Sequence, residues 1–536
     1  MLTTPNQNNS TLESNYVYSV SLAEHEQAIQ KIKNLEALQQ ESNNKISNLE
    51  EEVQRLKEQL RLMQLQRFGK KTEVQAGEPS VERDQMGSLQ TVLEYTRRKG
   101  KKSQGRLIDT SALPRYQFFH DLPLEKQTCQ GCHKPLKKVG QDVSEQLEVL
   151  PMRLYVAEHI RYKYTCCCCN TIDMAPKPKA PIPKALAGGS LLTEIIVNKY
   201  QYHLPLYRQS KILESYNALI PDNTLGNWVL QSGNGLIPVY EAFWEAILSA
   251  NYLQVDETPV KVLKPEKKGY LWAYFAPHIE KGLVIFELSL TRSGNVAETR
   301  LADFKGLLQT DGYSGYQNLR KRNDVTGFGC LSHARRKFVE VLKITNNIEG
   351  VASQLVERLK PLYILEDKMR KLNLSFHTRK RLRQKQAWPI LKKLLPWLKQ
   401  QLVKTPPKSK LALAIQYMLN QWPYLIAYLR HGSAEIDTNY VENKIRPTAL
   451  GKRNWLFIGN EDSGLIHALF YSLVLSAMMN DLNPRVYIYY LLTQIHALRT
   501  KKVDPTTLLP HTIDRAKLQF FAEEQIAICK KVLDSS

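Results

Sequence analysis

The feature that most constrains the fold is the order of apolar segments between residues 252 and 343. Three segments with strand-like alternation come first, and a helix, a strand, a helical turn, a strand and a helix follow. In chain order these predicted elements are Tyr252–Asp256 with its continuation to Leu263, Tyr270–Ala276, Leu283–Leu290, Asn295–Phe304, Leu307–Thr310, Gly312–Arg320, Val325–Leu331 and Ser332–Lys343. This is the element order of a ribonuclease-H-like α/β core.

Two acidic residues hold related places in this predicted core. Asp256 lies on the first strand, and Asp311 directly follows the fourth strand. The first and fourth strands are neighbours in a ribonuclease-H-like sheet. Both carboxylates are therefore expected at one edge of the sheet.

The stretch YLQVDETPVKVL around Asp256 admits two interpretations. It resembles an apolar strand that breaks off at Asp256 and resumes after Pro259. A carboxylate inside a buried strand is costly unless it is compensated, and metal coordination is the usual means. Aspartate is also common in hairpin turns, which is the alternative. Glu257 is expected to point to the opposite face of the strand and is left out of the acid set.

Residues 344–430 are predicted to form amphipathic helices, and one further helix follows them. Asp437 or Thr438 can cap this helix, which carries Glu442 as a third carboxylate. The basic residues near that acid are Lys444, Arg446, Lys452 and Arg453. A second basic group within 344–430 is expected on an exposed helix face, with phosphate contact as the alternative. Its members are Arg379, Lys380, Arg381, Arg383 and Lys385.

Three carboxylates at Asp256, Asp311 and Glu442 suit phosphodiester chemistry. Mg²⁺ is bound by a few carboxylates, with positions left open for phosphate oxygens. Two such ions about 4 Å apart can activate a water or a 3′-hydroxyl on one side and stabilise the leaving oxygen on the other. The three acids are therefore predicted to be catalytic and to bind two Mg²⁺ or Mn²⁺ ions.

Six of the eight cysteines lie in one short region, which favours metal binding over a disulfide framework. Cys129 and Cys132 form one Cys-x-x-Cys pair, and Cys166 and Cys169 form a second with the same spacing. Two such pairs suit a zinc ribbon, because each gap lets one turn present two thiolates to one ion. These four residues are predicted to bind a structural Zn²⁺. Two further cysteines inside the second pair leave its ligands open, and small buried thiols are the alternative.

Apolar residues from Ala28 onward recur at alternating steps of four and three, the seam pattern of a coiled coil. The seam positions are Ala28, Ile32, Leu35, Gln39, Ser42, Ile46, Leu49, Val53, Leu56, Leu60 and Met63. So narrow an apolar stripe needs a partner helix, which predicts a homo-oligomer. A long helix packed on its own protein is the alternative.

Three helices are predicted after a Pro-rich link. They are Leu191–Gln201, Pro205–Tyr216 and Thr224–Gly233. The last two, with a tight turn between them, fit a helix-turn-helix. Any αα-hairpin gives the same pattern, so DNA binding by this region stays open. Its candidate DNA contacts are Arg208, Lys211 and Trp228.

Lys and Arg outnumber Asp and Glu by 74 to 52, giving a net charge of +22 and a pI near 9.4. Such a surplus indicates a polyanionic partner, with nucleic acid the first choice and an anionic membrane surface the second. No apolar run approaches the roughly 20 residues of a spanning helix, so no membrane-spanning segment is predicted, and DNA rather than a membrane is the expected partner. The first ten residues lack the basic flank and apolar core of a signal peptide, which predicts a cytosolic chain.

A series of motifs extends along most of the chain. They are RFGKKTE, the two Cys-x-x-Cys pairs, HIRYKYTC, KYQYHLPLYRQ, VDETPVKVL, TDGYSGYQNL, CLSHARRKF and IDTNYVENKIRPTALGKRNWLF. Together they resemble the DDE transposases of the insertion-sequence 66 family. The resemblance implies DNA transposition with Asp256, Asp311 and Glu442 as the metal-binding acids. It also implies an all-helical insertion before the Glu442 helix.

The resemblance implies an enzyme that binds the terminal inverted repeats of its element and carries out strand cleavage and transfer. It implies small accessory proteins from the same element and a place in the bacterial cytosol, at the nucleoid. The alternative is a non-catalytic DNA-binding protein derived from a transposase. Further candidate DNA contacts are His333, Arg335, Arg336, Arg446, Lys452 and Arg453.

The predicted fold class is multidomain α+β, with a ribonuclease-H-like α/β catalytic core and an all-helical insertion. Coiled-coil, zinc-ribbon-like and helix-turn-helix modules precede the core. The predicted segments are a disordered 1–20, a coiled coil 21–70, a basic linker 71–117, a zinc-binding module 118–176, a helix-turn-helix region 177–245, core parts 246–343 and 431–481 around the insertion 344–430, and a helical C-terminal region 482–536.

Overall fold

The computed structural model describes residues 22–68, 154–165, 172–345, 347 and 349–534. The predictions for the segment 1–20, the basic linker and the four zinc-binding cysteines lie outside these residues. Helix α1 (Leu22–Phe68) spans the predicted coil almost to its ends. Its described seam residues are exposed, which is the arrangement expected of a helix with an unused apolar stripe. They include Leu35, Ile46, Leu49, Val53 and Leu56.

Strands β1 (Lys163–Thr165) and β2 (Ile172–Met174) form an antiparallel pair, with Thr165 opposite Ile172. The second predicted cysteine pair lies between these strands in the sequence. Four helices follow the pair. They are α2 (Gly189–Tyr200), α3 (Leu206–Ser215), α4 (Asp222–Gly235) and α5 (Ile237–Leu248). Helices α2 to α4 match the three predicted helices.

Helix α4 is packed into the fold through its apolar side, and the prediction that Trp228 contacts DNA is wrong. Trp228 is buried together with Leu225 and Val229, which share one side of the helix. These positions form the apolar stripe of an amphipathic helix, and local sequence does not distinguish such a tryptophan from an exposed one. The other two candidates, Arg208 and Lys211, are exposed on α3.

The central sheet contains five strands from the predicted core region. They are β3 (Tyr252–Lys264), β4 (Lys267–Ala276), β5 (Leu283–Ser289), β6 (Gly306–Gln309) and β7 (Val325–Phe328). Their order across the sheet is β5–β4–β3–β6–β7. The pairs among β3, β4 and β5 are antiparallel, whereas β3, β6 and β7 run parallel. The result is a mixed α+β architecture with a mixed sheet.

Helices connect and cover these strands. They are α6 (Gly294–Arg300), α7 (Gln317–Lys321) and α8 (Leu331–Thr345). The segment predicted to be a helical insertion contains α9 (Val351–Lys371), α10 (Phe376–Leu382), α11 (Trp388–Lys404) and α12 (Lys410–Ala427). The chain then forms α13 (Asn439–Trp455), β8 (Ile458–Asn460), α14 (Glu461–Met479), α15 (Pro484–Arg499) and α16 (Arg515–Asp534).

Strand β3 is continuous, so the predicted break at Asp256 is wrong. The alternative of a hairpin turn at this residue is wrong as well. Asp256 lies opposite Ala273 in an unbroken antiparallel ladder with β4. The polar stretch Asp-Glu-Thr stays extended because the long pairing with β4 overrides its local turn preference.

One side of β3 is left open around Asp256. Strand β6 pairs with β3 at residues 252–254, and β8 pairs with it at Val262 and Lys264. Between these contacts β3 has no partner on that side among the described strands. The gap accommodates Pro259, because proline has no N–H to donate to a ladder.

Helix α14 covers the sheet at its edge strand β5. The Ser472 and Ser476 hydroxyls accept hydrogen bonds from the N–H groups of Phe286 and Val284 at 2.9 and 3.0 Å. An uncovered edge strand would leave such groups unpaired. Among the described residues, α14 alone has the length and composition of a membrane span, but most of it is buried in the fold, as in a core helix.

The expectation of an exposed helix face is wrong for Arg379 and Arg383. Arg383 is fully buried and donates two hydrogen bonds of 2.7 Å to the Glu366 carboxylate. Arg379 is also buried and donates to Glu435 at 2.8 Å. Buried charges of this kind are stable only when they are paired, and both acids lie outside the basic run. The other three members of the run, Lys380, Arg381 and Lys385, are exposed.

Candidate active site

Asp256 and Asp311 follow matching positions on two paired strands. In the parallel ladder, Gln254 of β3 lies opposite Gln309 of β6. Each aspartate comes two residues later in the chain. Because parallel strands run in the same direction, both aspartates lie beyond the same end of this ladder.

A buried polar network connects these strands to the segment that precedes α13. The Gln254 side chain donates to Gln309 Oε1 at 3.0 Å and to the Asp437 carbonyl at 3.1 Å, and it accepts from the Val441 N–H at 3.1 Å. The Gln309 side chain donates to the Glu435 carbonyl at 2.9 Å. Both glutamines are fully buried, so each bond avoids the cost of an unpaired polar group.

This network was not predicted from the sequence, although a signal for it exists. The pattern Leu-Gln-x-Asp occurs at residues 253–256 and again at residues 308–311. A glutamine at the same place in two apolar strands, each followed by an aspartate, indicates a shared structural role. The two glutamines fix the first turn of α13 against the ends of the strands that carry the acids.

Glu442 lies in the first turn of α13 and is held by the neighbouring helix α8 and by the residue that caps its own helix. Its carboxylate accepts from Arg336 of α8 at 3.1 Å and from the Thr438 hydroxyl at 3.3 Å. His333 Nδ1, also on α8, lies 3.6 Å from Glu442 Oε1. Two predicted DNA contacts, His333 and Arg336, thus lie directly beside the third predicted acid.

Burial and neighbouring charges act together on Asp256. Burial is the main reason that the pKa of Asp256 is raised to about 7, and the Glu257 carboxylate is the second. Glu442 and Asp311 raise the pKa of Asp256 further, whereas His333 lowers it. Asp256 therefore lies in a cluster of negative charge that its protein neighbours do not fully balance.

Glu257 already has its own partners, which separates it from the other acids. Its buried carboxylate forms an ion pair with Arg292 at 2.6 Å. It also accepts a hydrogen bond of 2.5 Å from the Tyr316 hydroxyl. Glu257 is thus a structural acid, whereas Asp256 has no comparable ion pair within the described part of the chain.

The remaining predicted site residues lie on the helices around this cluster. Lys452 donates to the Thr258 hydroxyl at 3.3 Å and to the Pro259 carbonyl at 3.1 Å, which places it at the open side of β3. Arg446 and Arg453 are exposed on the same helix, and Arg335 is partly buried on α8.

The donor set at Asp256, Asp311 and Glu442 suits a hard divalent cation. Carboxylate oxygens are the ligands that Mg²⁺ and Mn²⁺ prefer. A bound cation would also offset the charge that raises the pKa of Asp256. The cluster fits a metal-assisted reaction at a phosphate group.

Comparison with known proteins decides the family. Residues 184–465, more than half of the chain, match the family described as Transposase IS66 family, and the match includes all three acids. The chain belongs to the IS66 transposase family. Residues 126–170 also match the zinc-finger binding domain of transposase IS66, a match that includes both cysteine pairs. The transposase is therefore a zinc- and DNA-binding protein of an insertion sequence.

Several curated relatives of the transposase come from Sinorhizobium fredii. The uncharacterized protein y4jD is 33% identical over 442 residues, which is 79% of this chain and 84% of the relative. The uncharacterized protein y4hP is 30% identical over 390 residues, or 69% of this chain and 70% of the relative. The similarity extends well beyond the sheet and its acids.

Proposed function

We propose that the transposase binds the terminal inverted repeats of its element and catalyses metal-dependent DNA strand cleavage and transfer. Asp256, Asp311 and Glu442 are proposed to hold two Mg²⁺ or Mn²⁺ ions. The observation that carries the proposal is that Asp256 and Asp311 lie beyond the same end of the β3–β6 ladder, while the Gln254 side chain bonds to the first turn of the helix that carries Glu442. When bound, the ions would activate the attacking hydroxyl and stabilise the leaving oxygen.

The chain's own residues have distinct roles in this proposal. Gln254 and Gln309 hold α13 against the strand ends, and thereby hold Glu442 beside the two aspartates. Arg336 keeps the Glu442 carboxylate in place through its hydrogen bond at 3.1 Å. Lys452, at the open side of β3, is suited to contact a phosphate of the DNA strand that enters there.

We further propose that the sheet is a ribonuclease-H-like core. The strand order β5–β4–β3–β6–β7, with three antiparallel and then two parallel strands, supports this assignment. The helical insertion between α8 and the helix that carries Glu442 also supports the assignment of a ribonuclease-H-like core. This topology brings acids that are distant in sequence to one edge of a sheet.

Charge distribution supports DNA as the partner of the insertion. Between Asp367 and Glu435 the sequence contains fifteen Lys or Arg residues and no acidic residue. Exposed lysines of this stretch include Lys392, Lys393 and Lys399 on α11. Exposed lysines of this kind, without acids nearby in the sequence, attract the DNA backbone without regard to base sequence.

For the zinc finger, we propose Cys129, Cys132, Cys166 and Cys169 as the ligands. Replacing Cys129 and Cys132 with serine is expected to remove about one zinc per chain, since a four-thiolate site does not survive loss of two ligands. Elemental analysis of the purified protein checks this. The matched control is Cys529→Ser, which alters an exposed free thiol and should keep the full zinc content. Unchanged zinc in the double variant would contradict the assignment.

We also propose that α1 pairs with α1 of a second copy, which suits an enzyme that must hold two DNA ends. The exposed seam residues supply the apolar stripe for such a pair. Removal of residues 1–66 is expected to reduce the sedimenting mass to that of a smaller assembly. An unchanged assembly size after correction for the missing residues would contradict this role.

Cytosolic action and small accessory proteins remain expectations from the family.

The experiment that tests the proposed function is strand cleavage by the purified full chain. Its substrate is DNA that carries the ends of the element, and its product is a new 3′ end at each terminal repeat. Cleavage is expected with Mg²⁺ or Mn²⁺ and is expected to stop when the metal is chelated. Binding to the same DNA without cleavage would favour a non-catalytic descendant of a transposase.

A further inference from the structure

A thiol, an imidazole and a carboxylate converge where α8 begins. Cys330 immediately precedes α8, and His333 lies on its first turn, three residues later. Residues at this spacing lie on the same side of a helix. One ligand atom each of Cys330, His333 and Glu442 lies within 4.8 Å of the other two.

The surroundings of these three groups favour a metal ligand set over a random contact. Cys330 Sγ accepts a hydrogen bond from the Thr438 N–H at 3.2 Å, and the Thr438 hydroxyl, with one proton to share, lies 3.1 Å from Cys330 Sγ and 3.3 Å from Glu442 Oε1. The N–H donor orients the sulfur, but burial raises the pKa of the Cys330 thiol, so the thiolate needs the charge of a bound cation to form. His333 Nδ1 is buried and has no hydrogen-bond partner within the described chain, so in the neutral tautomer that leaves it unprotonated it can act as a ligand.

We propose that Cys330, His333 and Glu442 form a second metal site that selects a thiophilic cation such as Zn²⁺. Sulfur, nitrogen and oxygen donors are the set that zinc accepts, whereas Mg²⁺ requires oxygen ligands. Tetrahedral zinc would bring the three atoms to about 3.5 Å from one another, a small movement from their present positions. The Cys330 thiol proton leaves to solvent on binding, and a water fills the fourth position.

Glu442 belongs both to this site and to the proposed catalytic acids. Zinc binding at the site would therefore affect catalysis. A carboxylate held by zinc at this site is withdrawn from the Mg²⁺ set. Zinc would therefore inhibit strand cleavage in competition with Mg²⁺, at concentrations far below those of Mg²⁺. This inhibitory role depends on the proposed function, whereas zinc binding by the three residues does not.

Zinc uptake tests the site without any need for activity. The full chain, with its zinc finger already loaded, is titrated with Zn²⁺ against a chelating dye. Wild type is expected to bind one additional zinc. Cys330→Ser and His333→Asn should each weaken that binding more than about a hundredfold, because loss of even an outer-shell partner costs 10–100-fold. Failure of wild type to bind the additional zinc, or equal binding by both folded variants, would overturn the proposal.

Two further measurements separate this site from other zinc ligands. Cd²⁺ in place of Zn²⁺ should give wild type a thiolate absorption band, beyond that of the zinc finger, which Cys330→Ser lacks. In Mg²⁺-dependent cleavage, Cys330→Ser should need at least about tenfold more zinc for half-inhibition, measured against its own zinc-free rate. Equal inhibition of both proteins would overturn the inhibitory role. Absence of any cleavage by wild type would instead count against the proposed function, and zinc uptake would still decide the site.

Discussion

Asp256→Asn is expected to reduce metal-dependent strand cleavage by at least about a thousandfold while leaving the protein folded. Asparagine has nearly the same shape but lacks the charge that a bound divalent ion requires. Addition of Mg²⁺ should raise the unfolding midpoint of wild type, because a ligand that binds only the folded state stabilises it. The variant should show little or none of this rise. Cleavage rates and thermal unfolding with and without Mg²⁺ measure both effects.

The same substitution has a predicted pH signature. The pKa of Asp256 is raised to about 7 by burial and neighbouring carboxylates, from an ordinary value of 3.8. A raised pKa means that the folded state favours the protonated acid, so this stability is complete below pH 4 and is lost as the pH rises through 7. Metal-free wild type should lose up to about 1.4 kcal/mol per pH unit from this group within that range. In Asp256→Asn, the free energy of unfolding should lack this dependence on pH. The variant should therefore be more stable than wild type at pH 8.

The matched control is Asp303→Asn, which removes an exposed aspartate outside the acid cluster. It should leave the cleavage rate, the Mg²⁺-induced stabilisation and the pH slope at their wild-type values. If Asp256→Asn behaved like this control in all three measurements, Asp256 would not be a metal ligand.

Arg383→Ala is expected to lower the free energy of unfolding by about 3–5 kcal/mol, the cost of breaking a buried ion pair from one side. The substitution leaves the Glu366 carboxylate buried without the two hydrogen bonds of 2.7 Å that Arg383 supplies. It also removes a hydrogen bond of 2.7 Å to the His431 carbonyl, which ties the insertion to the chain leading into α13. Denaturant unfolding, followed by a signal from the insertion, measures the loss.

Arg381→Ala provides the control, because Arg381 lies two residues away in the same basic run and is exposed. Its effect on unfolding should stay within about 0.5 kcal/mol. The free energy of unfolding of Arg383→Lys should lie between those of Arg383→Ala and Arg381→Ala. Lysine keeps the charge but cannot form the two parallel hydrogen bonds of a guanidinium. Equal stability of Arg383→Ala and Arg381→Ala would mean that the buried pair does not hold the insertion.

Much of the sheet and its helices follows from local sequence patterns. Alternation of apolar residues located β4 and β5, and helical periodicity located α2, α3 and α8. Such patterns are reliable where one face of an element meets the core. The order of the elements then placed Asp256 and Asp311 on neighbouring strands, which the structure contains as β3 and the end of β6.

The errors came where tertiary packing overrides local preference. The polar residues after Val255 favour a turn, yet pairing with β4 keeps β3 extended through them. Arg383 belongs to a basic run that looks solvated, yet its partner Glu366 comes from another helix 17 residues earlier. Trp228 has the spacing of a core residue as much as that of a DNA contact. In each case the residues that pack or pair with the segment are distant in sequence, so the local pattern does not reveal them.

Three acids from separate parts of the chain are proposed to form one metal-dependent cleavage site. The most direct measurement compares wild type with Glu442→Gln in Mg²⁺, on DNA that carries both ends of the element. Glu442 gives the most demanding test of this convergence. It lies on α13, which follows the insertion in the chain, whereas the other two acids lie on or directly after strands of the sheet. We expect the folded variant to bind this DNA as wild type does but to produce at least about a thousandfold fewer new 3′ ends. Cleavage by Glu442→Gln at the wild-type rate would contradict this proposal.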